Sequence, residues 1–136
     1  MTHKPLLITM GDAAGIGPEI IAKAFRDAPA EMAGCVVVGD VATLRRAAAL
    51  LAAPLALPVA PLDALADASS VPPRCIAVLQ KCELLAPVPY GLVSGVAGQA
   101  AADCIVWAAR AVLAGEAAGM VTAPIHKEAL LSLIHI

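Results

Sequence analysis

Short apolar runs recur along this chain, most of them closed by Gly, Pro or Asp and several followed by a segment with helical spacing. Leu6-Leu7-Ile8-Thr9-Met10 ends at Gly11-Asp12, and Cys35-Val36-Val37-Val38 ends at Gly39-Asp40. Leu57 to Ala60, Cys75 to Leu79 and Gly119 to Ala123 read the same way, the last closed by Pro124. A strand with one wet face alternates apolar and polar residues; an unbroken apolar run is a strand covered on both faces. Alternation of such strands with helices predicts an α/β fold, a layered, mostly parallel sheet with flanking helices. No repeat of 20–50 residues interrupts the pattern.

The intervening helices have recognisable ends. Pro18 opens a segment from Glu19 to Ala28, where a missing amide costs nothing and Glu19 suits the positive helix end. Asp40 is placed to cap a helix running through Leu44, Ala47, Leu50 and Leu51, with Arg45 and Arg46 on its wet side. From Ala53 to Pro73 the chain is proline-rich and accommodates a short strand and a loop or brief helix around 62–68. Pro87 to Gly98 reads as an extended loop. Ala97 to Leu113 follows as a helix, with Gly115 as its stop.

The chain of 136 residues is 60% hydrophobic with one Trp, one Tyr and one Phe, and a mean hydropathy of +0.84. Such values raise the question of a membrane span, which needs roughly 20 consecutive apolar residues. The run from Ala47 to Leu62 is broken by Pro54, Pro58 and Pro61, Cys104 to Ala114 carries Arg110, and Leu6 to Met10 is too brief for a signal core. The expectation is a soluble, cytoplasmic protein with no membrane partner. A net charge of −2 offers no basic stripe for nucleic acid. Cys35, Cys75, Cys82 and Cys104 form no C-x-x-C pair and are expected as buried, reduced thiols.

Chemistry concentrates in three stretches. Ile8 to Glu19, ITMGDAAGIGPE, puts strand, glycine turn and helix start in immediate succession. Free amides at a helix start can receive an anion, and glycines permit close approach. Gly15 and Gly17 give G-x-G, but Ile20 fills the third glycine position of the dinucleotide fingerprint. A ligand-facing turn and a turn tight only for packing both remain open, and Asp12 either bonds a polar substrate group or braces the turn. Tyr90 to Ala101, YGLVSGVAGQAA, leads into a helix through small residues, which favours close packing on a sheet or subunit. Val121 to Leu130, VTAPIHKEAL, places His126-Lys127 just past a strand's carboxyl end, where open parallel sheets bind ligands. There Thr122 offers a hydroxyl and Lys127 a point charge for phosphate or carboxylate, with a solvated surface lysine as the alternative. His126 has no second histidine at metal-ligand spacing.

These stretches, in this order, resemble the 4-hydroxythreonine-4-phosphate dehydrogenase family of vitamin B6 biosynthesis. Its members carry a strand followed by G-[DE]-P-A-G-I-G-P-E, a Y-G-x-V-S-x-x-A-G segment and T-[AG]-P-[IVL]-[NH]-K. The resemblance spans Leu6 to Leu130 and departs at Ala13, where the family has proline. It implies a fold similar to isocitrate and isopropylmalate dehydrogenases, here incomplete, and a homodimer. It further implies oxidation and decarboxylation of a phosphorylated small-molecule substrate with NAD or NADP and a divalent metal (Zn, Mg or Co). The resemblance carries Asp12, Thr122 and Lys127 to the rim of the substrate pocket. It assigns no catalytic residue and no metal ligand within this chain, the metal belonging to later parts of the family sequence.

Residues 1–130 are accordingly expected to be the amino-terminal part of a two-domain dehydrogenase, without catalysis of its own. Residues 131–136, LSLIHI, are expected to be a non-native tail, since they translate a transposon-end adapter used in sequencing libraries. Two other readings share these motifs. One is a paralogue acting on threonate or erythronate 4-phosphate. The other is a non-catalytic module binding phosphate at the Gly15–Gly17 turn.

Overall fold

The computed structural model describes residues 4–51 and 57–131. Residues 132–136, most of the expected tail, lie outside them, as do residues 52–56 of the proline-rich stretch. The strands are β1 (Leu6–Thr9), β2 (Cys35–Gly39), β3 (Val59–Leu62), β4 (Ile76–Gln80) and β5 (Gly119–Thr122). The helices are α1 (Gly17–Asp27), α2 (Val41–Leu50), α3 (Gly95–Leu113) and the short α4 (Lys127–Leu131), with a 3-10 turn at Leu65–Ser70.

The strands form one sheet in the order β3-β4-β2-β1-β5, parallel at every pairing. Val36, Val37 and Val38 of the central β2 are fully buried, as an unbroken β-branched run requires when both faces are covered. The chain steps from β1 to β2 in one direction and later crosses through α3 to β5 on the other side of β1. With right-handed crossovers, that reversal puts α3 on the face opposite α1 and α2. α1 packs with α2, while α3 lies across β2, β1 and β5.

The helix ends follow from their sequences. Asp40 is the cap of α2: its Oδ2 accepts from the Thr43 amide at 2.9 Å and the Thr43 hydroxyl at 2.6 Å, satisfying an amide the helix itself leaves free. Its Oδ1 accepts from Gln80 Nε2 at 2.8 Å, which ties the ends of β2 and β4 together. Ser94 caps α3 through a 3.1 Å bond from the Ala97 amide. α3 is long and apolar enough to cross a membrane, but its small residues Ala97, Gly98, Ala100, Ala101, Cys104, Ala108 and Ala111 are buried against the protein.

Several expectations need correction. α1 begins at Gly17 and α3 at Gly95, each two residues earlier than read, and β3 lies two residues later. On α2 the inward face is Thr43, Leu44, Ala47 and Ala48; Leu50 is 63% exposed, because the 3.6-residue period carries it off that stripe. Arg45 is exposed as expected, but Arg46 is half-buried and turned into the protein. All four cysteines are free, yet only Cys82 and Cys104 are buried; Cys35 and Cys75 are half-buried at strand starts.

Candidate functional site

The reversal of strand order lies between β1 and β5. In open parallel sheets the crevice beyond the strand carboxyl ends at such a point is where ligands bind. Thr9 and Thr122, the last residues of the two strands, are partners in register. Past them the chain segments are laced together: the Ala123 amide donates to the Thr9 carbonyl at 3.1 Å and the Asp12 amide to the Pro124 carbonyl at 3.0 Å. Gly11, at φ +75°, sits so tightly that a Cβ there would overlap the Pro124 carbonyl oxygen. Gly17 starts α1 directly against the Met10 carbonyl, which leaves no room for a side chain either. At these two positions the packing reading of the glycine turn is the one the structure supports.

Asp12 is 8% exposed. Its Oδ1 accepts from the Ala14 amide at 2.9 Å, and the Gly15 amide donates to its carbonyl at 3.0 Å, so the residue braces its own turn. Oδ2 faces Gly15, where a Cβ would stand 3.1 Å away; the missing side chain keeps this oxygen approachable. Thr122 ends β5 in an exposed position, and Lys127 is exposed at the start of α4. Among the described residues no ion pair engages Lys127. The fold therefore brings the Asp12 turn and the Thr122–Lys127 segment to one edge, joined through backbone rather than through direct bonds among the three side chains.

Sequence reasoning missed the other half of this edge. Arg46 reaches from α2 to donate to the Val88 carbonyl at 2.6 Å and to the Ala13 carbonyl at 3.1 Å. Its guanidinium stacks 3.9 Å from the centre of the Tyr90 ring. The Gly91 amide donates to the Ala14 carbonyl at 2.8 Å, so the loop before α3 is fastened onto the glycine turn. The sequence offered only that Tyr90, the sole tyrosine, stands in a motif.

Three side-chain atoms among the described residues are buried without a hydrogen-bond partner: Thr9 Oγ1, Arg46 Nε and His126 Nδ1. Each such group costs about 1–3 kcal/mol, and all three belong to segments at this carboxyl edge. By contrast, the large hollow of about 1380 Å³ touches Phe25, Met32, Cys35, Leu65, Cys75 and Trp107, reaching the amino ends of β2 and β4. Volume alone does not mark a site; converging polar groups do, and those stand at the other edge. No three His, Cys, Asp or Glu side chains among the described residues converge as metal donors. The turn also lacks the open glycine cradle of a dinucleotide site, since Gly17 is filled by Met10. Among the described residues neither a metal donor set nor a dinucleotide glycine fingerprint is assembled, and no step is derived through either group.

Thiol chemistry is muted. Burial pushes the Cys35 and Cys75 thiols up, and Cys104 is raised strongly by its hydrogen bond with Cys82 and by burial.

Residues 31–134 match the family described as pyridoxal phosphate biosynthetic protein PdxA. The D-threonate 4-phosphate dehydrogenase of Pectobacterium atrosepticum is 39% identical over 133 residues, covering 98% of this chain and 40% of that protein. The 4-hydroxythreonine-4-phosphate dehydrogenase of Beijerinckia indica is 41% identical over 130 residues, covering 96% and 37%. The crystal structure of 4-hydroxythreonine-4-phosphate dehydrogenase from Klebsiella pneumoniae superimposes with a TM-score of 0.84 at 39% identity, over 97% of this chain and 40% of that one. A terephthalate 1,2-cis-dihydrodioldehydrogenase from Burkholderia xenovorans shares the fold at a TM-score of 0.66 and 26% identity, over 95% of this chain and 36% of that one. The chain spans about 40% of the length of the curated relatives it matches.

Proposed function

The chain belongs to the PdxA family, and from that premise we propose that it is the amino-terminal part of a dehydrogenase that oxidises a phosphorylated hydroxy acid. Within it, residues 1–130 supply one wall of the substrate pocket. The observation that carries this is that Thr9 Oγ1 and His126 Nδ1, buried without a hydrogen-bond partner, lie on β1 and on the segment after β5, the two segments between which strand order reverses. Asp12, Thr122 and Lys127 surround the same edge.

Their chemistry divides the substrate between them. Asp12 Oδ2 accepts a hydrogen bond from a substrate hydroxyl or ammonium. The Thr122 hydroxyl bonds a neighbouring oxygen, and the Lys127 ammonium takes the phosphate as a point charge. The phosphate does not belong on the glycine turn: the Ala14 and Gly15 amides are committed to Asp12, whose carboxylate repels an anion. This argues against a free-standing phosphate module at Gly15–Gly17. The cofactor, NAD or NADP, and the divalent ion, zinc, magnesium or cobalt, fall in this proposal to the part of the relatives' length that this chain does not cover. So does the completion of a cytoplasmic homodimer.

The preferred substrate is 4-hydroxythreonine 4-phosphate, in the making of pyridoxine 5′-phosphate. A second reading, threonate or erythronate 4-phosphate, draws on the D-threonate 4-phosphate dehydrogenase of Pectobacterium atrosepticum, 39% identical over 98% of this chain. Calorimetric titration of the purified chain with both phosphates tests the proposal. It expects binding weakened by Asp12→Asn and Lys127→Met, and no substrate-dependent NAD reduction. Turnover by the isolated chain, or binding indifferent to both substitutions, overturns it.

A further inference from the structure

We infer that Arg46 is a positioning residue that locks the substrate-binding turn and the loop before α3 into one rigid wall. The inference rests on the reading of Asp12 as a substrate contact and extends it to a residue that touches no substrate. One guanidinium holds two carbonyls from separate parts of the chain, Ala13 in the turn and Val88 in the loop, while its face lies on Tyr90. Ala13 is the neighbour of Asp12, and the next residue, Ala14, is held twice more. Its amide donates to Asp12 Oδ1 and its carbonyl accepts from Gly91. Displacing Ala13 therefore displaces the Asp12 carboxylate.

Only arginine suits this place. Its planar fork reaches two acceptors at once and stacks on an aromatic ring, whereas a lysine ammonium is a point charge that cannot do both. The buried Nε has no partner, a cost that persists because the two forked bonds and the stack over-determine the side chain. The clamp joins elements far apart in sequence: 33 residues separate Arg46 from Ala13 and 42 separate it from Val88.

The test uses the purified 136-residue chain as wild type, Arg46→Ala and Arg46→Lys, each checked for folding by circular dichroism. D-threonate 4-phosphate is titrated calorimetrically, and amide exchange at Ala14, Gly15 and Gly91 is followed by NMR. The expectation is binding about tenfold weaker in both variants, with faster exchange confined to those amides. Millimolar guanidinium ion should restore both binding and the protection of those amides to Arg46→Ala, which ties the two effects to the lost guanidinium. Unchanged affinity in the variants overturns the inference. If the wild type itself does not bind, the substrate reading fails, and exchange decides alone. Faster exchange rescued by guanidinium sustains the clamp, and unchanged exchange overturns it. Should Arg46→Ala not fold, Arg46→Lys carries the same comparisons.

Discussion

Asp40 gives the sharpest stability prediction, because one buried carboxylate serves three donors on two elements. Replacing it with alanine removes the cap on the Thr43 amide, worth about 1 kcal/mol. It also strands the Thr43 hydroxyl, which then lies buried without its 2.6 Å acceptor, at about 1–2 kcal/mol. Gln80 loses less, since its Nε2 keeps a 2.9 Å bond to the Cys82 carbonyl and its Oε1 still accepts from Val41 at 2.7 Å. Asp40→Ala should therefore cost about 2–3 kcal/mol, a large share of the stability of a domain of this size. Asp40→Asn keeps an oxygen for the cap and should cost about 1 kcal/mol. Urea denaturation followed by circular dichroism reads both, with midpoint falls of about 1–2 M for alanine and clearly less for asparagine. Equal losses for the two variants, or a loss under 1 kcal/mol for alanine, would refute the view that this carboxylate is a structural node joining β2, α2 and β4.

The glycines separate two kinds of strain. Gly11→Ala must both hold a left-handed backbone and push back the Pro124 carbonyl, whereas Gly34, at φ +82° with open space around it, carries only the backbone cost of about 1–2 kcal/mol. Thermal melts should show Gly11→Ala as the more damaging, and the reverse order would contradict the packing described for the turn. Arg74 is the one non-glycine residue at positive φ among the described residues, at 65°, so Arg74→Gly should stabilise the chain slightly, by up to about 1 kcal/mol; a destabilised variant would refute this. Thiol labelling at pH 8 should modify Cys35 and Cys75 before Cys82 and Cys104. The raised thiols also set a pH dependence. Below the ordinary value of 9.0 both folded and unfolded thiols keep their protons. Above it the unfolded chain releases protons the native chain retains, so stability should fall as pH climbs past 9. A stability curve flat from pH 8 to 10.5 would contradict the burial of Cys104.

The fold was legible because its strands are local signals. A run such as Cys35-Val36-Val37-Val38 admits few structures, and Pro18, Asp40 and Gly115 mark helix ends through chemistry confined to a few residues. Where boundaries slipped, as at Gly95, a long-range contact or a nearby serine cap extended the helix beyond its periodic core. The candidate site was half legible. Thr122 ends β5, and Asp12 and Lys127 follow β1 and β5 within a few residues, positions that sequence can locate; Arg46 could not be found that way. Beside Arg45 on α2 it looks equally wet, and its partners, Ala13 and Val88, are backbone carbonyls that any residue would present. Gly11 was ambiguous for a related reason: the Pro124 carbonyl that fills its place follows β5, which neighbours β1 in the sheet but is remote from it in sequence.

The most direct test of the central claim is an amide NMR titration of the chain with 4-hydroxythreonine 4-phosphate, followed by threonate 4-phosphate. The account predicts shifts confined to Gly11–Gly15 and Thr122–Lys127, with a smaller response at Gly91 through the Arg46 clamp. Shifts centred instead on Met32, Arg74 and Trp107 around the hollow reaching the amino ends of β2 and β4, or no shifts at all, would contradict it.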